Sequence, residues 1–376
     1  MPILITVISC VALCILILRL CKAVLNSFKL ADLNEKPVFI TGCDTGLGHE
    51  LALRLHGLGV PVYAACLTPE GALTLETNAA NLSSYSAATF RTVLMDVRSA
   101  ESCQNAAAEV RKELGATQSL WGVVCNAGVL GYPVLDNWLT ADAYRNALEV
   151  NLLGTIRTCQ IFKPLMFGAR GRLVIVSSMF GSFAAPSLGP YCVSKFGVEA
   201  YASINRHELR NFGLSVHVIA PGFFTSNFTD SVRISSMVEQ AWTEASDTAR
   251  AMYGESFKER MKVTMCESLN SPGSAKGPGK TVSACVHALT SRFPQARYHL
   301  GLDGNFFAYF SHFPAEFQAW FVDAWCSLRG APIPRYCTEV MTDFKMSFLR
   351  RRRVQKQKET WKKIVQQQKT IRQTDA

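Results

Sequence analysis

The sequence predicts an α/β protein: one doubly wound parallel sheet with helices on both faces, an apolar helix in front of it and a helical extension behind it. Three observations lead there. Short apolar, β-rich runs alternate with helically spaced segments, the pattern of parallel strands joined by helical crossovers. A glycine-rich turn follows directly on the first of these runs. The chain has 376 residues, of which 48% are hydrophobic and 18% charged, which suits a single α/β domain with additions and is too apolar for a disordered chain. No repeat of roughly 20–50 residues is present, which argues against solenoids and propellers.

The elements follow in order. Residues 3–18 read ILITVISCVALCILIL without a charge, and Arg19, Lys22 and Lys29 come after them. With Pro2 the run reaches the short end of the ~17–25 residues of a membrane helix, and snorkelling of Arg19 extends it. It has neither a basic leading region nor a small-x-small cleavage site, so residues 1–22 read as an uncleaved transmembrane anchor. The positive flank after the helix directs the body to the cytosol. After a polar linker at 23–36, residues 34–300 form the sheet domain. Its strands are expected at 37–41, 62–67, 90–97, 120–125, 172–177 and 214–220, and its helices at 49–58, 100–114, 140–168, 190–211 and 281–292. Segment 226–280 is polar, with Met, Gly and Pro, and fits a substrate loop with small helices. Residues 301–349 include Phe306, Phe307, Tyr309, Phe310, Phe313, Phe317, Trp320, Phe321 and Trp325, and are expected to lie on a membrane or in a dimer contact. Residues 350–376 are a basic tail.

The net charge of +10 raises the question of nucleic acid. The tail from Arg350 holds ten Lys and Arg against Glu359 and Asp375, so the preceding 349 residues carry only +2. The charge belongs to the tail, and nucleic acid is not an expected partner. The 13 cysteines are odd in number, form no CxxC and have no zinc spacing with histidine. They read as reduced core residues, with no metal site.

The glycine turn Thr41-Gly42-x3-Gly46-Leu47-Gly48 joins a strand to a helix. Its glycines permit a tight turn, close approach of a pyrophosphate to the backbone, and packing of helix on strand. The helix N-terminus then offers free N–H groups and partial positive charge to phosphate. These are the marks of a Rossmann-type dinucleotide fold. Its second strand ends at Cys66, Leu67 and Thr68, with no acid for the adenosine ribose, but the loop carries Asp44 and no Arg or Lys. A 2′-phosphate would want a cation, so NAD is expected over NADP. Asp96, with Val97 after it, closes the third strand, where a carboxylate can accept from the adenine amine or cap the following helix. Downstream, Tyr191-Cys-Val-Ser-Lys195 opens a helical stretch, placing Tyr191 and Lys195 on one face a turn apart. A tyrosine ionises near pH ~10. A lysine cation and a positive nicotinamide ring beside it favour the tyrosinate, making Tyr191 a candidate acid/base for a hydroxyl that loses hydride. Ser178, just past a strand end, can hydrogen-bond the substrate oxygen.

Taken together, Thr41-Gly-x3-Gly-x-Gly48, Asn126-Ala-Gly128, Asn151, Ser178, Tyr191-x3-Lys195 and Pro221-Gly222 with Thr225 resemble the short-chain dehydrogenase/reductase family over about residues 34–330. The resemblance implies that Tyr191 transfers the proton, Lys195 holds the ribose and lowers the tyrosine pKa, and Ser178 orients the substrate. It further implies that Asn151 supports a relay water, that Asn126, Ala127 and Gly128 steady the sheet beside the cofactor, and that Pro221, Gly222 and Thr225 border the nicotinamide. Cys125 stands where many members have an asparagine.

Finer matches resemble the retinol and hydroxysteroid dehydrogenase branch: Phe39-Ile-Thr-Gly-Cys-Asp-Thr-Gly, Ala64-Ala-Cys-Leu-Thr, Leu120-Trp-Gly, Tyr191-Cys-Val-Ser-Lys-Phe-Gly-Val-Glu-Ala, Tyr253-Gly-Glu, and Arg297-Tyr with Gly301-x-Asp303. That implies an NAD-linked, membrane-anchored enzyme of the endoplasmic reticulum acting on a lipophilic alcohol, and a homodimer is possible. Ser177-Ser-Met-x-Gly with Pro190-Tyr-Cys also resembles D-3-hydroxybutyrate dehydrogenase, a mitochondrial relative. A small acid would need a cationic clamp within 226–280, and a mitochondrial enzyme an amphipathic presequence; the plain apolar N-terminus counts against the latter. A non-enzymatic scaffold is disfavoured by the intact Ser178, Tyr191 and Lys195.

Overall fold

The computed structural model describes residues 24–82, 88–115, 117–224, 229–270 and 276–328, together with Leu13 and Ile17. Seven parallel strands make one sheet: β1 (Val38–Thr41), β2 (Val62–Cys66), β3 (Phe90–Leu94), β4 (Gly122–Cys125), β5 (Arg172–Val176), β6 (Ser215–Pro221) and β7 (Arg297–Leu300). Their order is β3-β2-β1-β4-β5-β6-β7. The chain reverses its direction of travel between β1 and β4, and in open α/β sheets the crevice for ligands opens at that point, beyond the carboxyl ends of the strands.

Alternate residues of each strand feed opposite cores, as the two-residue period requires. Phe39 points into a core with helices α3 (Ala100–Leu114), α5 (Gly154–Phe162) and α6 (Gly189–Glu208), where its ring stacks on Phe162 at 4.0 Å. Val38 and Ile40 point the other way, onto α1 (Gly46–His56), α2 (Pro69–Ala80) and α10 (Gly279–Thr290). Strands covered on both faces are almost entirely apolar, which is why they stand out in the sequence.

Six of the seven strands lie on the expected runs, β6 continuing one residue further to Pro221. The third is shorter than 90–97, because after Leu94 the chain leaves the sheet and Ser99 caps α3 by accepting from Ser102 N. Asp96 is therefore not the helix cap. Two elements are additions to the sequence reading. Helix α2 starts at the cap Thr68 with Pro69 in its first turn. Strand β7 pairs Arg297–Leu300 with the end of β6 at the sheet edge.

The stretch 226–280 is more structured than a loop with small helices. It folds into α7 (Ser231–Glu244), α8 (Asp247–Tyr253) and α9 (Glu255–Leu269). With α11 (Gly301–Phe310) these helices close a third core above the strand ends, around Trp138, which packs edge-on to Trp242, Tyr253 and Phe257. Helix α12 (Ala315–Leu328) follows. Among the described residues no helix is long and apolar enough to cross a membrane. Apart from Leu13 and Ile17, the apolar run 3–18 lies outside the described residues, as does the basic tail.

Candidate active site

The carboxyl ends of β4, β5 and β6 and the first turns of α1 and α6 line a cleft of about 800 Å³, counted with the solvent space at its mouth. Gly42 and Gly46 have φ of +71° and +65°, the left-handed region that glycine enters without cost. A Cβ on Gly48 would run into the Gly42 carbonyl oxygen, so only glycine lets α1 start this close to β1. At Gly46 a Cβ would meet nothing within 4 Å. The α1 cap Thr45 makes no side-chain cap hydrogen bond, and no acid occupies the first turn. Free amides, open space and the positive end of a helix suit a pyrophosphate.

Asn126 fixes this turn to β4. Its Nδ2 donates to the carbonyls of Thr41 at 2.9 Å and Gly42 at 3.0 Å, while the Thr41 hydroxyl accepts from Asn126 N and Ala127 N. Gly128 lies close to Asn151 Oδ1 and Lys195 Nζ. Cys125 packs its sulfur 3.5 Å from that of Cys159 on α5, a buried contact that leaves the cleft untouched.

Asp44 supplies the acid that the end of β2 lacks. Its carboxylate accepts from Leu67 N at 2.9 Å, Thr68 N at 2.9 Å and the Thr68 hydroxyl at 2.9 Å. Negative charge therefore sits on the loop after β2, where dinucleotide folds place the ribose-binding acid. Cys66 itself points into the core, fully buried, and burial pushes its thiol up to about 12. Asp96 holds Arg98 through both carboxylate oxygens, which keeps its carboxyl below the ordinary range. Val97 is buried, and its carbonyl accepts from Arg157.

Asn151 sits in a π-helical turn, Glu149–Leu153, between α4 (Ala141–Leu148) and α5. Such bulges occur often at functional sites. Its amide grips both backbone groups of Val129, accepting from N at 2.7 Å and donating to O at 2.9 Å, and donates to Ser194 Oγ at 2.9 Å. Ser194 in turn donates to the Tyr191 carbonyl at 2.7 Å, so Asn151 steadies the first turn of α6. Ser194 was not singled out in the sequence, although it is the polar residue before Lys195 in the same motif.

Ser178, Tyr191 and Lys195 converge in the cleft. The Ser178 hydroxyl accepts from Phe180 N at 3.3 Å and acts to favour the ionised phenol of Tyr191. Lys195 Nζ donates to Val176 O at 2.9 Å and stands 5.7 Å from the Tyr191 ring. In the protein alone, burial dominates both groups: it pushes the phenol up to about 12, against the Ser178 hydroxyl, and the ammonium down to about 8, against the Glu199 charge. Lowering the tyrosine toward neutrality thus takes positive charge beyond that of Lys195.

Pro221 and Gly222 wall the cleft at the end of β6. Their loop is held by Asp303, whose Oδ2 accepts from Phe223 N at 2.6 Å, a link the sequence offered only as Gly301-x-Asp303. Thr225 lies outside the described residues. The remaining wall is mostly apolar, with Leu47, Leu130, Met179, Phe180, Phe223 and Leu269 beside Ser177 and Thr229, and Phe180 lies edge-on to both Tyr191 and Phe223.

A fold with this strand order, glycine turn and Ser-Tyr-Lys cluster is that of a nicotinamide-dependent oxidoreductase. The family model described as short chain dehydrogenase matches residues 36–236, and the chain belongs to that family. Among curated relatives, 17-beta-hydroxysteroid dehydrogenase type 6 from Homo sapiens is 38% identical over 279 residues, covering 74% of this chain and 84% of the relative. Retinol dehydrogenase 7 from Rattus norvegicus is 37% identical over 279 residues, with the same coverage. These place the chain on the retinol and hydroxysteroid dehydrogenase branch. Among solved structures, levodione reductase superposes with a TM-score of 0.58 at 19% identity, covering 73% of this chain and 98% of that one. A short chain dehydrogenase from Burkholderia phymatum in complex with NAD has a TM-score of 0.56 at 21% identity, covering 70% and 89%.

Proposed function

We propose that this chain interconverts a lipophilic secondary or allylic alcohol, a retinol or a hydroxysteroid, and its carbonyl, using NAD. The observation that carries the reading is the pairing of Ser178, Tyr191 and Lys195 with a largely apolar wall, in which Asn126, Ser177 and Thr229 are the other polar side chains. Among the described lining residues Lys195 is the one charged side chain. Among the described lining residues a small hydroxy acid would find no cation for its carboxylate besides Lys195, which disfavours the 3-hydroxybutyrate reading.

The residues divide the work as follows. The glycine turn and α1 bind the pyrophosphate, Asp44 faces the adenosine ribose, and Lys195 holds the other ribose. When bound, the cofactor supplies the hydride acceptor and a positive ring beside the phenol. Ser178 holds the substrate oxygen, and Tyr191 Oη takes the hydroxyl proton during oxidation and returns it during reduction. Phe180 and Phe223 exclude water from the reacting carbon. General acid–base transfer of this kind is worth roughly 10²–10⁴ in rate.

Two placements complete the proposal. The apolar run at 3–18 anchors the chain in the endoplasmic reticulum membrane with the sheet domain in the cytosol, and the aromatic surface of α11 and α12 rests on lipid. There Tyr309 and Trp320 are 75% and 61% exposed, and aromatic residues favour the membrane interface. A second copy pairs across Leu153, Val193, Phe196 and Ile204, an exposed apolar face of α6 and the π-turn. The test of function is an NAD-coupled assay of purified protein in detergent with retinol, androgens, estradiol and 3-hydroxybutyrate. Turnover of a retinoid or steroid supports the reading, and turnover confined to 3-hydroxybutyrate contradicts it.

A further inference from the structure

The stripe that carries Tyr191 and Lys195 continues one turn further along α6 to Glu199, a carboxylate only 7% exposed. Burying a lone carboxylate costs several kcal/mol. Its partner comes from nearly a hundred residues away: Arg297, on the edge strand β7, pairs through Nη2 with Glu199 Oε2. Arg206, further along α6, also bears on the carboxylate while donating to the carbonyls of Val216 and Ala296. On the other side, Lys195 is 5% exposed and its ammonium is held by the Val176 carbonyl.

We propose that Glu199, fixed by Arg297, is a positioning residue that keeps Lys195 a cation beside Tyr191, so that the phenol can release its proton during turnover. The proposal rests on the reading of Tyr191 and Lys195 as the acid–base pair. Desolvation favours the neutral amine of a buried lysine, and a carbonyl partner adds no full charge to oppose it. Among the described residues Glu199 is the anion that bears on Lys195. The charged and titratable neighbours of the pair are Tyr191 and Arg206 on α6, and Arg297 and His299 on β7. Ser177 at the end of β5 and Asn151 in the π-turn are neutral, and His217 on β6 feels Arg206. Burial keeps Tyr191, His217 and His299 neutral, so apart from Glu199 the charges facing Lys195 are the positive Arg206 and Arg297. Neutralising Glu199 would leave Arg297 uncompensated and Lys195 without its counter-charge, and the amine would lose its proton at lower pH. The same arrangement explains why an arginine on a weakly apolar edge strand belongs to the site.

The test uses the full-length protein in detergent and follows kcat/KM for alcohol oxidation against pH in wild type, Glu199→Gln and Glu199→Gln/Arg297→Met. A neighbouring opposite charge moves an ionisation by about one to three pH units. With Arg297 screening Glu199, the alkaline limb of Glu199→Gln should fall by about one unit, with kcat above that limb down about tenfold. KM for the alcohol and NADH affinity at pH 6.5 should stay within about twofold. The double variant, relieved of the unpaired arginine, should fall between, about half a unit below wild type. An alkaline limb unmoved in Glu199→Gln overturns the proposal. If the single variant does not fold, the double variant decides: a limb at the wild-type position overturns it. Full activity of Tyr191→Phe would instead overturn the acid–base reading beneath it, a separate and distinguishable result.

Discussion

Asp44→Asn should move the enzyme from NAD toward NADP. The Asp44 carboxylate is pinned by Leu67 N, Thr68 N and the Thr68 hydroxyl, so its charge stands at the end of β2 whether or not a cofactor is bound. A 2′-phosphate on the adenosine ribose would come within ~5 Å of it, and two unit charges at that distance repel by about 3 kcal/mol at an effective dielectric of ~20. That corresponds to discrimination of about 10² against NADP. Asparagine keeps the shape and a carbonyl acceptor for the loop amides and removes the charge. Steady-state kcat/KM for both cofactors, measured with one alcohol at saturation, gives the ratio directly. It should drop by about 10² in the variant. A ratio within threefold of wild type, or a wild type that prefers NADP, would refute the reasoning.

Three further outcomes are expected. His217 on β6 lies 2.6 Å from Gln295 O and 2.8 Å from Ser215 Oγ, and burial pushes its pKa from 6.5 down to about 4. The unfolded chain therefore binds the proton first, and stability should fall by up to about 3 kcal/mol as pH drops through that window. His217→Gln should flatten the acid side of a thermal-midpoint profile, and an unchanged slope would count against the assignment. Deleting residues 1–22 should leave the protein partly membrane-bound through the aromatic surface and the basic tail, with high salt weakening the tail's share; full solubility at low salt would show that this second contact does not exist. Phe196→Glu should turn a dimer into a monomer in sedimentation velocity, and a monomeric wild type would remove the proposed pairing.

The sheet was legible because strands buried on both faces are written as continuous apolar runs, such as 172–177 and 214–220. The glycine turn and the Tyr191–Lys195 spacing were legible because phosphate binding and a shared helix face each fix local intervals. What escaped was either weakly apolar or non-local. Strand β7 is four residues, Arg-Tyr-His-Leu, with little to mark it. Helix α2 has a low-contrast composition, although Thr68 followed by Pro69 was a usable start signal. Asp44 was legible as an acid in the glycine turn, but its placement at the end of β2 was not, because it reaches Leu67 and Thr68 across 23 and 24 residues. The Asp303 clamp on Phe223 spans 80 residues and Glu199 meets Arg297 across 98. Such contacts exist only once the sheet is assembled.

The most direct test of the account is Tyr191→Phe. The ring stays in place against Phe180, and only the oxygen proposed to move the proton is lost. Circular dichroism and NADH fluorescence titration should match wild type, while kcat for alcohol oxidation should fall by roughly 10²–10⁴. Turnover within about tenfold of wild type, with cofactor binding intact, would mean that the proton leaves through another group and that the central assignment is wrong.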